Sequence, residues 1–85
     1  MVVKVLFHRG IEKDLKKLPK NIKERFLRSV RLIEESPLSG IPLKGEFAGS
    51  RKIRLGDYRI VYQFSPKKKT AIVYRIESRQ GVYKK

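Results

Sequence analysis

Apolar residues fall along this chain in three rhythms, each predicting a different element. From Val2 to Phe7 they are nearly continuous and rich in β-branched types, broken only by Lys4, which predicts a buried strand. Ile11, Leu15 and Leu18 then recur at i, i+4 and i+7, the spacing of a short amphipathic helix. Pro19 ends or interrupts it. Ile22, Phe26, Val30 and Ile33 resume the helical spacing, with Leu27 and Leu32 widening the stripe. A longer helix is predicted from about Lys20 to about Glu35, closed by Ser36-Pro37. A tight turn at Pro19 makes the two helices an antiparallel hairpin.

The third rhythm is alternation. Residues 37–50, rich in Gly, Pro and Ser, read as a connection. Three strands are expected after it, at Arg51–Leu55, Tyr58–Phe64 and about Thr70–Glu77. Gly56-Asp57 is a two-residue hairpin signal. It sets Leu55 against Tyr58, Arg54 against Arg59, Ile53 against Ile60 and Lys52 against Val61. Side chains alternate faces along a strand. One face then carries Ile53, Leu55, Tyr58, Ile60 and Tyr62, and the other Lys52, Arg54 and Arg59. A five-residue loop at Ser65–Lys69 pairs Phe64 with Thr70 and Arg59 with Arg75, and adds Ile72, Tyr74 and Ile76 to the apolar face.

The predicted fold is α+β: an N-terminal strand, a helical hairpin, then a three-stranded antiparallel meander. The helices bury their stripes on the apolar sheet face. Normal twist leaves the opposite face open, curved and cationic. Like charges directly opposite across a ladder are destabilising. Arg54 facing Arg59 therefore points to an anionic ligand.

Composition narrows the picture. With 85 residues the chain is one small domain spanning 1–85, of a size that buries only about 60% of its unfolded surface. It has no cysteine, which fits a reducing compartment. No apolar run approaches membrane-span length and the amino terminus lacks the layout of a signal peptide, so no membrane association and a cytoplasmic location are expected. The formal net charge is +14. Residues 1–50 hold 11 basic and 6 acidic residues, whereas residues 51–85 hold 11 basic and only 2 acidic. A field of that sign favours nucleic acid, an anionic membrane or an acidic protein. For the lysines of the first half, a generally basic solvated surface is the simpler reading.

Guanidinium forks match phosphate geometry and stabilise the added charge of a pentacovalent transition state. Lys52, Arg54, Arg59 and Arg75 suit a phosphodiester in this way. Arg79 and Tyr83 follow the last strand, and Tyr83 is suited to stack on a base. His8, the single histidine, reads as structural at the end of the first strand. No Ser-His-Asp set, metal-ligand spacing or glycine-rich phosphate loop is present, so no cofactor is expected. Hydrolytic or transfer chemistry here would be metal-free. RNA permits this through its own 2′-OH. The base would be Lys52 or a nearby carboxylate. Residue types alone leave catalysis, plain anion binding and a solvated face all open.

The ordered set LKG at Leu43–Gly45, RKIRLGDYRIVY at Arg51–Tyr62 and VYRIESRQGVY at Val73–Tyr83 resembles the RelE/ParE toxin superfamily. The initial strand and the helical hairpin ending in ESP at Glu35–Pro37 fit as well, so the resemblance spans essentially the whole chain. It implies a RelE-like fold and a RelE-type messenger RNA interferase of a type II toxin–antitoxin system. Such a toxin is a ribosome-dependent endoribonuclease that cuts the codon in the 30S A site by 2′-OH attack, inhibiting translation. The family's functional positions fall on Lys52, Arg54, Arg59, Arg79 and Tyr83. Lys44, Arg51, Arg75 and Lys84 are further RNA- or phosphate-binding candidates. The implied partners are messenger RNA on the ribosome and a cognate antitoxin protein, in a toxin–antitoxin hetero-oligomer.

Three departures from the family pattern bear on proton transfer. Arg54 stands where a RelE lysine is thought to act as base, and a guanidinium does not usefully lose a proton. Ser78 replaces a frequent histidine and Glu77 a common glycine. Glu77 is thus either an alternative base or an arginine partner that blunts the site. The competing functions are a ParE-like DNA gyrase inhibitor and a weakly active relative that binds RNA or its antitoxin.

Overall fold

The computed structural model describes residues 3–78. β1 (Lys4–Phe7) leads through a 3-10 turn at Arg9–Ile11 into α1 (Glu12–Lys17). The His8 ring opens that turn by accepting the Gly10 N–H on Nδ1 at 3.0 Å, the structural role expected of it. Leu18 takes an extended conformation and Pro19 caps α2 (Lys20–Glu35), so the proline separates the two helices as its ring geometry requires. β2 (Ile41–Pro42), a 3-10 turn at Gly45–Phe47, β3 (Ser50–Leu55), β4 (Tyr58–Ser65) and β5 (Thr70–Ser78) complete the chain. Among the described residues no helix is long and apolar enough to cross a membrane.

The five strands form one mixed sheet in the order β1-β5-β4-β3-β2. β1 pairs parallel with β5, while the remaining pairs are antiparallel. β1 is an edge strand with Leu6 and Phe7 exposed, so the fully buried strand expected from its composition is not what forms. β2 comes from the segment read as plain connection, and it covers the other side of β3.

The core lies between α2 and one sheet face. Ile22, Phe26 and Ile33 of α2 cluster with Leu55, Ile60, Tyr62, Ala71 and Val73, closed by Val3, Ile11 and Leu18. The buried helical stripe is narrower than its apolar content suggests. Ser29 is buried and returns its hydroxyl to the Arg25 carbonyl, while Leu27 is 63% and Leu32 43% exposed. A 3.6-residue period through Ile22 and Phe26 reaches Ser29 and Ile33, and leaves those two leucines off the axis of the stripe.

The β3–β4 register is the predicted one, Arg54 opposite Arg59 included. Only Gly56 of the two turn residues has positive φ (67°), the pattern of a type II′ turn. The β4–β5 register differs from expectation. The turn spans four residues, with Ser65 against Thr70, and an irregularity at Val61/Tyr62 inserts Tyr74 as an extra residue. Phe64 therefore pairs with Ala71 rather than Thr70, and Arg59 with Glu77 rather than Arg75. Ala71, Val73 and Ile76 serve the core, whereas Ile72 and Tyr74 do not. The Tyr74 hydroxyl instead shares a 2.6 Å hydrogen bond with Ser50 Oγ.

Candidate functional site

The register lays out the sheet face away from the helices as rows across the strands. One row is Arg54, Arg59 and Glu77, and the next is Lys52, Val61 and Arg75. The third runs Ser50, Gln63, Ile72 and Leu6. Rows lie about 7 Å apart, the rise of two strand residues. Val61 is 2% exposed yet stands outside the helix-side cluster, so the cationic rows have a buried apolar floor at this point.

Glu77 organises the cations. Its Oε1 accepts the Arg59 Nε–H at 2.6 Å, and its Oε2 lies 2.7 Å from Arg75 Nε in a second ion pair. The carboxylate side chain is only 16% exposed, against 42% for Arg59 and 48% for Arg75. The acid therefore lies below and the two guanidiniums lie towards solvent. Arg75 is held a second way, with its guanidinium carbon 5.3 Å from the centre of the Phe47 ring. The contact links the Gly45–Phe47 turn to β5. No spacing rule connects residues 47 and 75, and neither the bulge nor this contact has a local signature in the sequence.

The candidate residues divide. Lys52, Arg54, Arg59 and Arg75 come together on this face, with Glu77 among them. Lys44 is exposed at the start of the Gly45–Phe47 turn. Arg51 goes elsewhere. Strand parity turns it to the other face, and its Nη1 donates to the carbonyls of Leu38 at 3.1 Å and Gly40 at 2.9 Å. It staples a loop and does not join the cations of the open face. Arg79, Tyr83 and Lys84 lie outside the described residues. A shallow hollow lined by His8, Gln63, Ile72 and Tyr74 adjoins the third row.

Four cations within two rows, with one carboxylate beneath them, favour a polyanion carrying closely spaced phosphates. A guanidinium can hold phosphate oxygens and stabilise extra negative charge, whereas only the Lys52 amine among these cations readily exchanges a proton. Both Glu77 oxygens are already paired with a guanidinium.

Comparison with known proteins identifies the family. Residues 5–83 match the family described as the ParE toxin of the type II toxin–antitoxin system parDE. Toxin RelG of Mycobacterium tuberculosis is 30% identical over 83 residues, covering 95% of each chain. In the RelBE2 toxin–antitoxin complex of the same organism, one chain superposes with a TM-score of 0.82 at 30% identity, over 93% of this chain and 100% of that one. The archaeal RelE–RelB complex of Pyrococcus horikoshii gives 0.79 at 30% identity, over 93% and 97%.

Proposed function

The chain belongs to the RelE/ParE superfamily of toxins of type II toxin–antitoxin systems, and from that membership we propose that it arrests translation by cutting messenger RNA in the ribosomal A site. The observation that carries this reading is the convergence of Lys52, Arg54 and Arg59 on one sheet face, in the β3–β4 register set by the Gly56-Asp57 turn.

In the proposed reaction the ribose 2′-OH attacks the adjacent phosphorus. The P–O5′ bond breaks, leaving a 2′,3′-cyclic phosphate and a 5′-oxyanion that takes a proton from water to become the 5′-hydroxyl. Lys52 takes the 2′-OH proton. Arg59, together with Arg54, stabilises the charge that builds on the phosphorane oxygens. Arg79 is assigned to the scissile phosphate and Tyr83 to base stacking by the family resemblance alone. Glu77 is set aside as the base, since each of its oxygens is already paired with an arginine. The antitoxin is a protein with an acidic segment that complements the cationic face. That neighbours of this fold are toxin–antitoxin complexes supports such a partner.

The family match, being to a ParE toxin, favours one second reading, inhibition of DNA gyrase. One experiment separates the two. The chain is expressed from a tight promoter, and the ends of a translated message are mapped by primer extension. Cuts within codons that vanish when translation initiation is blocked are expected. Intact message during growth arrest, accompanied by double-strand DNA breaks, overturns the ribonuclease in favour of gyrase inhibition. Growth without arrest or cuts leaves a weakly active relative.

A further inference from the structure

We infer that Arg75 and Arg59 form a preset phosphodiester clamp, in which Glu77 and Phe47 are positioning residues rather than competitors for the ligand. The inference rests on the RNA-binding reading above and assigns residues that lie outside the proposed proton-transfer step.

The geometry of the triad separates holding from binding. Each arginine meets Glu77 through Nε, the inner edge of its guanidinium. The Nη1/Nη2 edge, with its parallel N–H pair, is a separate fork suited to a phosphate. A single carboxylate thus ties two guanidiniums side by side by their inner edges. Its low exposure beneath more exposed arginines means that an incoming anion meets the forks before it meets Glu77. Arg75 is constrained further, since the Phe47 ring lies against its guanidinium. A free arginine loses rotamer freedom when it binds. Held by edge and face, Arg75 has lost much of that freedom before any ligand arrives. Register places Arg75 one row from Arg59, beside Val61 and Lys52. The two arginines are thus diagonal neighbours across the β4–β5 ladder, about 7–8 Å apart at the backbone.

The proposal has a consequence opposite in sign to simple electrostatics. Glu77→Ala raises the net charge by one, and Coulomb attraction alone predicts tighter binding of RNA. The clamp predicts weaker binding, by about three- to tenfold, because two arginines regain their freedom. Phe47→Ala is expected to weaken binding about two- to fivefold through Arg75 alone. Phe47→Tyr, which keeps a ring face, restores it.

The test is fluorescence anisotropy of a short 2′-O-methyl RNA oligonucleotide, which cannot be cleaved, with the full chain at one fixed salt concentration. Circular dichroism melts establish that each variant is folded. Weaker binding by Glu77→Ala, rescue by Phe47→Tyr and no further effect of Phe47→Ala once Arg75→Ala is present support the clamp. Equal or tighter binding by Glu77→Ala overturns it, as does an undiminished Phe47→Ala effect in the Arg75→Ala background. A wild-type chain that does not bind the oligonucleotide overturns it as well. If the variants behave as expected while translated messages stay uncut, the ribonuclease reading fails and the clamp stands.

Discussion

Arg51 and Tyr62 stand opposite each other across the β3–β4 ladder, and both side chains end on the same loop. The Tyr62 hydroxyl donates to the Pro37 carbonyl at 2.7 Å and accepts the Gly40 N–H at 3.0 Å. Arg51 Nη1 donates to the carbonyls of Leu38 and Gly40. Gly40 has room for nothing larger, because a Cβ there would lie 2.7 Å from the Tyr62 hydroxyl oxygen and 3.0 Å from the Arg51 Cβ. One cross-strand pair thereby fixes the exit of α2 relative to the sheet.

Tyr62→Phe leaves the Gly40 N–H and the Pro37 carbonyl without this partner. The expected loss is about 1–3 kcal/mol. In a domain of this size each kcal/mol lowers the melting temperature by about 4–8 °C. Arg51→Ala is expected to lose less stability, because its guanidinium is partly solvated. RNA affinity at a temperature where the protein stays folded should be unchanged. Thermal melts and oligonucleotide titrations read the two effects separately. An Arg51→Ala variant of full stability with weakened RNA binding would return Arg51 to the phosphate-binding set.

Arg54 and Arg59 face each other with no acid between them on β3 or β4, and Glu77 offsets the repulsion from the β5 side only. Arg54→Thr removes one of the opposed charges and adds a good strand former. It should gain a few tenths of a kcal/mol, most clearly at low ionic strength, and should lower RNA affinity. Melts at two salt concentrations check the sign. A gain that persists undiminished in high salt assigns the effect to strand propensity instead of charge.

The helices and the β3–β4 hairpin were legible because local rules govern them. Pro19 and Ser36-Pro37 bound α2, and Gly56 supplies the positive φ that its turn requires. The β4–β5 pairing was not legible. Its four-residue turn puts Lys69 at φ 54°, a conformation that sequence rules assign to Gly or Asn, and the bulge residue Tyr74 looks like any strand residue. Two one-residue shifts in the same direction turned an expected Arg59–Arg75 pair into Arg59–Glu77. Strand parity still put the correct cations on one face, since a cumulative shift of two preserves the alternation. Parity also separates Arg51 from Lys52, which a resemblance drawn on a run of basic residues does not. The long-range contacts, Phe47 on Arg75 and β1 beside β5, follow from the assembled sheet and have no local trace.

Lys52 lies between the structural and chemical roles of this face and gives the sharpest test of the mechanism. It pairs with Val61 in the row that contains Arg75, and Ile41 of β2 lies opposite it on its other side. Lys52→Arg keeps the positive charge but replaces an amine that exchanges its proton with a guanidinium that does not. If Lys52 is the base, this variant should bind the uncleavable oligonucleotide within about twofold of wild type, while single-turnover cleavage on programmed ribosomes falls by about 10²-fold or more. Lys52→Met should lose both, binding through charge and cleavage through the proton. If Lys52→Arg cleaves at the wild-type rate, Lys52 is only a phosphate contact. The proton must then leave by another route, and Glu77→Gln assayed under the same conditions is the next measurement.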